Sequence, residues 1–300
     1  MARDPSVLRA IAAEVLRRND GLAHARRFLE AGLVGQDLGR LRHLGALNRP
    51  RIGWYLDPAA PPAAVAAVRV GGVLGCVSAA ESYGILIPEG IGTRTHVSLP
   101  PDITRMRRSD DATRHVHAGH DHAVRLHWEH RSEPLRGWRV APADALLQLA
   151  HCTSFRWLTA AVDSARNETG GPSVMTGSST AALRAALPSH LVPAVDRSDA
   201  LSESVGETFI RLEVEDRRIP WRSQAWLTSL YRTDGLVDEW LPVESDGLKH
   251  HAGKAVVRDR ERDAVLAYLG RQPLRFTHSS AVRETAYVGD VIEQVWRRRR

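Results

Sequence analysis

The stretch TDGLVDEWLPVESDGLKHH, residues 233 to 251, limits what this chain can fold into more than any other part of the sequence. A short apolar segment with strand character, Leu241 to Val243, runs directly into Glu244 and Asp246, and Asp234 precedes it. Carboxylates held close together repel each other unless a cation joins them. The stretch therefore predicts a strand whose acidic side chains have a function, and metal binding is the first candidate.

The spacing of these acids suits a divalent cation. Glu244 and Asp246 are two positions apart, so an extended strand points both to one face, roughly 7 Å from each other. Asp234 arrives beside Glu244 if the two segments pair, and Glu207, on a predicted helix upstream, could add a ligand or orient a water. Mg²⁺ or Mn²⁺ prefers a few carboxylates together with waters and phosphate oxygens. At a phosphodiester such an ion stabilises in-line displacement, with a neutral His251 as general base.

A second interpretation of the same residues stays open. Acids are common at strand ends, and Asp246-Gly247 is also a good turn sequence. On spacing alone, the acids could therefore be solvated residues at the end of a hairpin.

Length and composition set the frame for these motifs. At 300 residues the chain exceeds a typical single domain, which predicts two or three domains. Hydrophobic residues make up 43% and charged residues 25%, so the chain is able to build ordinary cores. The net charge of +6 suggests a polyanionic partner, nucleic acid above all, although an arginine-rich surface gives the same balance.

The two cysteines, Cys76 and Cys152, are too few for a zinc ribbon or a disulfide framework, and we expect them at small buried apolar positions in a reducing compartment. The first residues form an amphipathic pattern and not a signal peptide. The most apolar run is broken by Arg69 and by Gly71-Gly72, which argues against a membrane span. We expect a soluble cytoplasmic protein.

Residues 5 to 56 predict three short helices followed by a β-hairpin, the order of a winged helix-turn-helix. In such a domain the third helix enters the major groove of DNA and the hairpin reaches phosphates. The residues predicted to contact DNA are Arg40, Arg42 and His43 on the third helix and Arg49 and Arg51 on the hairpin. The alternatives are a winged helix that contacts protein, or basic residues that only solvate a surface.

The middle of the chain predicts β-structure over residues 95 to 140, followed by a helical stretch over 141 to 165. Six of the 14 histidines fall between residues 115 and 130, namely His115, His117, His120, His122, His127 and His130. We considered a transition-metal site here, but no cysteine or carboxylate sits at a recognisable zinc spacing. A wet, partly basic pair of strands is the preferred interpretation. Glycine, serine, threonine and proline between residues 167 and 202 then predict a domain boundary with one short helix inside it.

The last hundred residues predict an α/β sheet flanked by helices. A helix starts near Ser202 or Ser204, three strands follow, and a helix ending at Gly270, a strand and a closing helix complete the order. This is the arrangement of the PD-(D/E)XK nuclease core.

From about Ser204 to its end, the chain resembles a family of unnamed function related to the very-short-patch-repair endonucleases, within the PD-(D/E)XK superfamily. The motifs that match in order and gap are S-V-G-E-T at 204–208, Gln224, T-D-G at 233–235, E-S-D-G at 244–247, His251, D-R-E-R-D at 259–263 and L-R-F at 274–276. The resemblance implies metal-dependent DNA cleavage, with Asp234 and Glu244 as principal ligands and with Glu207, Asp246 and His251 in support. This chain departs from the superfamily at Asp246, where a lysine is usual, and from the family at Gly235, where an aromatic residue is usual.

The first 165 residues or so resemble AbiEi-type antitoxins, through the E-A-G-L turn at 30–33, the third helix, R-I-G-W-Y-L at 51–56 and the G-G-V-L-G-C stretch at 71–76. The expected domains are therefore a winged helix-turn-helix at 1–60, a mixed α+β middle domain at 61–168 and the nuclease-like α/β core at 200–300.

These features predict a metal-dependent DNA endonuclease whose winged helix holds the DNA. The alternative is a DNA-binding transcriptional regulator or AbiEi-type antitoxin with an inactive nuclease domain, which would have a toxin as its partner. Cleavage of RNA is a third possibility that the residues leave open.

Overall fold

The computed structural model describes residues 3–116, 121–128, 131–229, 231–246 and 264–299. The chain forms two compact units, Met1–Cys152 and Thr153–Arg300, and each combines helices with small sheets. The fold is therefore a mixed α/β arrangement in more than one unit. Within the described ranges, no helix combines the length and the apolar character that crossing a membrane requires.

The first unit begins with three helices and a small sheet. The helices are α1 (Pro5–Arg18), α2 (Ala25–Glu30) and α3 (Gly35–His43), and the strands are β1 (Leu22–His24), β2 (Asn48–Arg51) and β3 (Trp54–Leu56). The three helices and the β2–β3 hairpin lie where the sequence predicts them. Strand β1 was not predicted; it pairs antiparallel with β3, so the second helix starts only at Ala25.

Local signals explain the ends of these helices. The side chain of Asp4 accepts a hydrogen bond from the backbone of Ser6 at the start of α1, where Pro5 occupies the first turn. Gly32 and Gly45 follow α2 and α3 with positive φ angles of 87° and 67°, a conformation that glycine adopts without strain. The buried faces of these elements share one core, which includes Leu8, Leu16, Phe28, Leu41 and Tyr55.

The rest of the first unit is built around a second sheet. Its elements are α4 (Pro62–Val70), β4 (Val73–Leu74), α5 (Cys76–Ser82), a 3-10 turn (Ile91–Thr93), β5 (Thr95–Ser98), β6 (Val124–His127) and α6 (Pro142–Leu149). The strand order is β4-β5-β6, with β4 antiparallel and β6 parallel to β5. A second hydrophobic core forms here, with Ala64, Val68, Leu74, Val97 and Val140 among its buried members.

The second unit starts with helices and ends with a four-stranded sheet. Its elements are α7 (Phe155–Arg166), α8 (Gly177–Ala186), α9 (Val192–Asp196), α10 (Val205–Asp216), β7 (Trp221–Trp226), β8 (Arg232–Val237), β9 (Leu241–Asp246), β10 (Leu274–Thr277), α11 (His278–Arg283) and α12 (Thr285–Arg297). The stretch 167–202, predicted as a boundary with one short helix, holds both α8 and α9. The three-domain division stays a prediction, and along the chain the boundary between the two compact units falls between Cys152 and Thr153.

The order of the large sheet is β7-β8-β9-β10. Strands β7, β8 and β9 form an antiparallel meander, and β10 runs parallel to β9. A parallel neighbour needs a crossover connection, and residues 264–268 within that connection are helical. Ile210 and Val214 of α10 share a buried core with Val237 and Val243 of the sheet and with Ile292 of α12.

Two predicted helices are each divided in the structure. The stretch 141–165 forms α6 and α7, which are separated at residues 150–154, and Ser154 precedes α7 in an extended conformation. The predicted closing helix, which starts at Val282, is also interrupted, because Glu284 leaves the helical region at φ −123° and ψ 35°. Most of α11 lies before the predicted start. In the sequence, the helical spacing of apolar residues continues across both interruptions, so neither was predicted.

A buried ion pair joins α7 to α10. Asp163 on α7 and Arg211 on α10 are 1% and 3% exposed, and their charged atoms lie 2.8 Å apart. The hydroxyl of Thr208 and the backbone N–H of Asp199 also donate to the Asp163 carboxylate. Burial nevertheless raises the pKa of Asp163 to about 6, so Arg211 only partly offsets the loss of water.

Replacement of Arg211 by leucine leaves this carboxylate buried without its cation, which costs about 3–5 kcal/mol of unfolding free energy at pH 8. We expect a much smaller loss at pH 5, where the carboxyl of Asp163 is protonated. Arg184→Leu is the matched control, because Arg184 pairs with Asp196 at side-chain exposures of 54% and 45%. Urea unfolding at the two pH values measures both variants, and equal losses for Arg211→Leu and Arg184→Leu would show that the buried pair has no special weight.

Candidate functional site

The pairing of β8 with β9 brings Asp234 and Glu244 to the same place. The register joins Gly235 to Val243 and Leu236 to Pro242, and its continuation by one pair sets Asp234 opposite Glu244. Residues opposite each other in an antiparallel pair share a face of the sheet. The backbone N–H of Ser245 donates to Oδ2 of Asp234 at 2.8 Å, which fixes that carboxylate at the end of the ladder.

Glu207 comes to this site from the first turn of α10. The helix begins where the hydroxyl of Ser204 accepts a hydrogen bond from the backbone N–H of Glu207. Oε2 of Glu207 in turn accepts from Nε2 of Gln224 on β7 at 2.8 Å and from the backbone N–H of Glu203 at 2.9 Å. Glu207 is only 7% exposed, so its carboxylate is held in place by these donors and not by solvent.

The pKa values of Glu207 and Asp234 indicate an anionic site within the described part of the chain. Burial, followed by the charge of Asp234, raises the pKa of Glu207 to about 7. Burial also raises the pKa of Asp234 to about 6, against the hydrogen bond from Ser245, and the charges of Glu244, Glu203 and Asp246 add to the increase. A cation placed among these groups would remove the repulsion that produces both shifts.

Glu244 differs from these two acids because the protein supplies partners for both of its oxygens. It is 4% exposed, and it accepts a hydrogen bond from the hydroxyl of Tyr231. Arg275, which stands beside it in the register of β9 with β10, donates from Nε to Oε2 of Glu244 at 2.9 Å. Glu244 therefore has a guanidinium and a phenol hydroxyl as its partners.

The remaining predicted residues of this site are either exposed at the end of β9 or outside the described residues. Asp246 ends β9 as an exposed residue, and His251 lies outside the described residues, as do residues 259–263 of the D-R-E-R-D motif. Among the described residues, no three carboxylates bring one oxygen each within 4.8 Å of one another. The set of Asp234 and Glu244 as metal ligands stays a prediction.

Two glycines let the elements of the site approach closely. A Cβ on Gly206 would lie 2.1 Å from Oγ of Ser245, so the start of α10 rests directly on β9. A Cβ on Gly235 would lie 1.8 Å from the ring of Trp221, which fills the position of the missing side chain. Gly235, which replaces the usual aromatic residue of the resembled family, is therefore covered by an aromatic ring from the neighbouring strand.

The residues predicted to contact DNA divide into two groups. Arg40, Arg42 and His43 on α3 and Arg49 on β2 are exposed. Arg51 is half-buried, and its guanidinium donates to the carbonyl oxygens of Arg69 at 2.6 Å and Arg105 at 3.1 Å. Arg51 thus holds the hairpin against the rest of the first unit, while the other four side chains face solvent.

Sequence reasoning missed a second cluster, in the first unit. Cys76, His96, His127 and Cys152 each offer one ligand atom, and these four atoms all lie within 4.8 Å of one another. His127 belongs to the histidine-rich stretch, but it is 7% exposed and not part of a wet surface. His117, His120 and His130 lie outside the described residues, whereas His115 and His122 are exposed.

Neither a scan against models of protein families nor a search of curated proteins found a match for this chain. The function is therefore inferred from the site itself.

The raised pKa of Asp234 gives a pH-dependent prediction for the metal-free protein. The pKa rises from 3.8 to about 6 on folding, so the folded protein binds this proton more tightly than the unfolded chain does. The associated stability is fully present below pH 3.8 and is lost as the pH rises through about 6. Asparagine does not titrate, so in EDTA we expect Asp234→Asn to raise the free energy of unfolding at pH 8 by about 1–3 kcal/mol.

The gain should shrink towards pH 4. Asp196→Asn, a change at an exposed carboxylate whose pKa is lowered by its hydrogen bonds with Arg184, should show no such gain. Thermal unfolding in EDTA across this pH range measures both variants. A loss of stability at pH 8 in Asp234→Asn would mean that its hydrogen bond with Ser245 outweighs the repulsion.

Proposed function

We propose that this protein is a metal-dependent endonuclease that hydrolyses phosphodiester bonds in DNA, with Mg²⁺ or Mn²⁺ as cofactor. The observation that carries the proposal is that the register of β8 with β9 sets Asp234 opposite Glu244, while Glu207 lies close enough to Asp234 for that charge to raise its pKa. Two of these carboxylates have pKa values raised by burial and mutual repulsion. Buried like charges are costly, and their presence is explained by a cation that they bind.

The topology of the second unit supports the same proposal. Helix α10, the meander β7-β8-β9 and the parallel strand β10 follow the order of the nuclease core that the sequence resembles. The acids come from the start of the helix and from adjacent positions of two central strands. This is where a PD-(D/E)XK site would be expected, although many unrelated functions share such sheets.

The donor set fits a hard divalent cation, because all of its candidate ligands are carboxylate oxygens. When bound, such an ion supplies charge stabilisation at the scissile phosphate and lowers the pKa of an attacking water. Asp234 and Glu244 are the residues that would hold it. Glu207, fixed by Gln224, would accept a hydrogen bond from a water and thereby orient it.

The first unit would hold the DNA in this proposal. Arg40, Arg42, His43 and Arg49 are exposed on the third helix and on the hairpin, where cationic side chains can reach phosphates and base edges. We place the enzyme in the cytoplasm, where chromosomal and invading DNA are both accessible.

One observation favours the second candidate, a DNA-binding regulator or antitoxin whose nuclease domain is inactive and whose partner is a toxin. Glu244 already has Arg275 and Tyr231 as partners, so its charge is compensated without a metal. If Arg275 holds this carboxylate permanently, the sheet acts as a scaffold and only DNA binding remains.

Plasmid cleavage separates the two candidates. We expect the protein to nick or cut supercoiled DNA with Mg²⁺ or Mn²⁺ and to stop on addition of EDTA. Asp234→Ala and Glu244→Ala should each reduce the rate at least about a hundredfold, the order lost with one group that stabilises transition-state charge. DNA affinity should be unchanged in both variants.

Glu239→Gln is the matched control for these variants. Glu239 lies between β8 and β9, pairs with the exposed Arg222, and is remote in the register from Asp234. Its cleavage rate should equal that of the unaltered protein. DNA binding without cleavage of single-stranded, double-stranded, mismatched or RNA substrates, with either metal, would support the regulator instead.

The DNA-holding role of the first unit is tested by the salt dependence of binding. Arg42→Ala combined with Arg49→Ala removes two exposed cations from the proposed contact surface, and we expect the slope of log affinity against log salt to fall by about 2. Arg17→Ala with Arg18→Ala is the control, because these exposed arginines pair with Glu14 on α1 and the change in net charge is the same. Fluorescence anisotropy with a labelled duplex measures the slopes. Equal slopes in the two double variants would show that the exposed cations of α3 and of the β2–β3 hairpin do not contact DNA.

A further inference from the structure

The cluster of Cys76, His96, His127 and Cys152 is built from four different elements of the first unit. His96 lies on β5, and His127 ends β6 opposite Ser98 in a parallel register, which puts both histidines on one face of the sheet. Cys76 opens α5 after the short strand β4, and Cys152 follows α6. None of its residues belongs to the acid site of the second unit, which consists of Glu207, Asp234 and Glu244.

The four side chains of the cluster bring their candidate ligand atoms close together. The four candidate ligand atoms lie within 4.8 Å of one another, and Nδ1 of His96 is 3.0 Å from Nε2 of His127. The two imidazole rings stack with their centroids 5.2 Å apart. Two thiols and two imidazole nitrogens that converge in this way are the ligand set of a tetrahedral structural zinc site.

We propose that Cys76, His96, His127 and Cys152 bind one Zn²⁺ ion that cross-links the elements of the first unit. The soft sulfur ligands and the borderline imidazoles select zinc over Mg²⁺ or Ca²⁺, which prefer oxygen. All four positions of a tetrahedron are taken by protein atoms. Such a closed site is structural, since it leaves no position for a water or a substrate.

Hydrogen bonds hold the backbones of Cys76 and His96 in place without the metal. The backbone N–H of Gly75 donates to the carbonyl of His96 at 3.0 Å, which sets Cys76 next to β5. A Cβ on Gly75 would lie 2.4 Å from Oε1 of Gln148, so only glycine allows this approach. The backbone N–H of Cys76 donates to the same Oε1 at 2.9 Å, and Nε2 of Gln148 donates to Ser98 at 3.0 Å.

The burial of the cluster agrees with a bound ion. Cys76 is fully buried, and His96 and His127 are 2% and 7% exposed. Three of the four ligands are therefore shielded from solvent.

Two other states of the cluster make different predictions. Cys76 and Cys152 could form a disulfide under oxidising conditions, or the four groups could remain a hydrogen-bonded set without metal. In the structure both cysteines are free thiols. The chain has only these two cysteines, so any sulfur bond to a metal must come from this cluster.

The first test measures the metal in the full-length protein. We expect about one zinc per chain after purification under reducing conditions, retained through dialysis against millimolar EDTA and released when a mercurial reagent modifies the thiols. After zinc is replaced by Co²⁺, the spectrum should show the intense visible bands of tetrahedral cobalt and a thiolate-to-cobalt charge-transfer band. Addition of Zn²⁺ should abolish both. This experiment needs no variant, so it does not depend on whether a variant folds.

Variants then assign the ligands. Cys152→Ser and His127→Gln should each lose most of the bound zinc and the charge-transfer band. His151→Gln is the matched control, because His151 is exposed and adjacent to Cys152 but outside the cluster, and it should keep both. Asp234→Ala should also keep both, which separates this site from the acid site of the second unit.

The outcomes that overturn the proposal are distinct from those that concern nuclease activity. Protein that carries less than about 0.1 zinc per chain, and shows no thiolate-to-cobalt band after reconstitution under reducing conditions, has no such site. Two protected, metal-free cysteines that react only after reduction would establish the disulfide. Zinc that is lost in Asp234→Ala but kept in Cys152→Ser would place the metal at the carboxylates.

Discussion

The repulsion between buried carboxylates is the constraint on which the second unit depends. The pairing of Gly235 with Val243 forces Asp234 and Glu244 to adjacent positions, and a shift of one residue would turn one of them to the opposite face. The same pairing buries Val237 and Val243 in the core with Ile210 of α10. The apolar contacts therefore fix a register that electrostatics alone would oppose.

The three carboxylates differ in the partners that offset their negative charge. Glu244 has a guanidinium and a phenol as partners. Among the described residues, the donors to the other two acids are neutral: the Ser245 N–H to Asp234, and the Gln224 amide and the Glu203 N–H to Glu207. Burial and then the charges of neighbouring acids raise the pKa values of Asp234 and Glu207, and the neutral donors offset these effects only in part. One compensated acid beside two uncompensated ones leaves a local excess of negative charge. In the proposed nuclease, a divalent ion would match that excess better than a further arginine, because a guanidinium would fill the space that a water and a phosphate need.

Residues whose geometry is local could be placed from the sequence. The strand period of two put Glu244 and Asp246 on one segment, and a serine before an apolar run marked the start of α10, where Ser204 caps Glu207. Strand β1 was missed because its three residues become a strand only through pairing with β3, which is distant in sequence. The inward turn of Arg51 was missed for a related reason, since its acceptors, the carbonyls of Arg69 and Arg105, come from elsewhere in the unit.

The Cys/His cluster could not be predicted from the sequence, because its four ligands are distant in sequence and meet only in the folded protein. This separation also affects how the cluster would bind a metal. Zinc motifs that sequence reveals have ligands in short pairs, because a tight turn brings both to the metal. Here each ligand comes from a separate element, so the fold of β4, β5, β6 and α6 must form before the four atoms meet. The hydrogen bonds of Gly75 and Gln148 show that much of this arrangement is fixed by the protein itself. Zinc bound there would therefore stabilise a nearly formed structure and would not direct folding from the start, in contrast to small zinc fingers, which are unfolded without metal. The hard carboxylates of the second unit and the soft ligands of the first prefer different ions, so the two proposed metal sites would not compete for one metal.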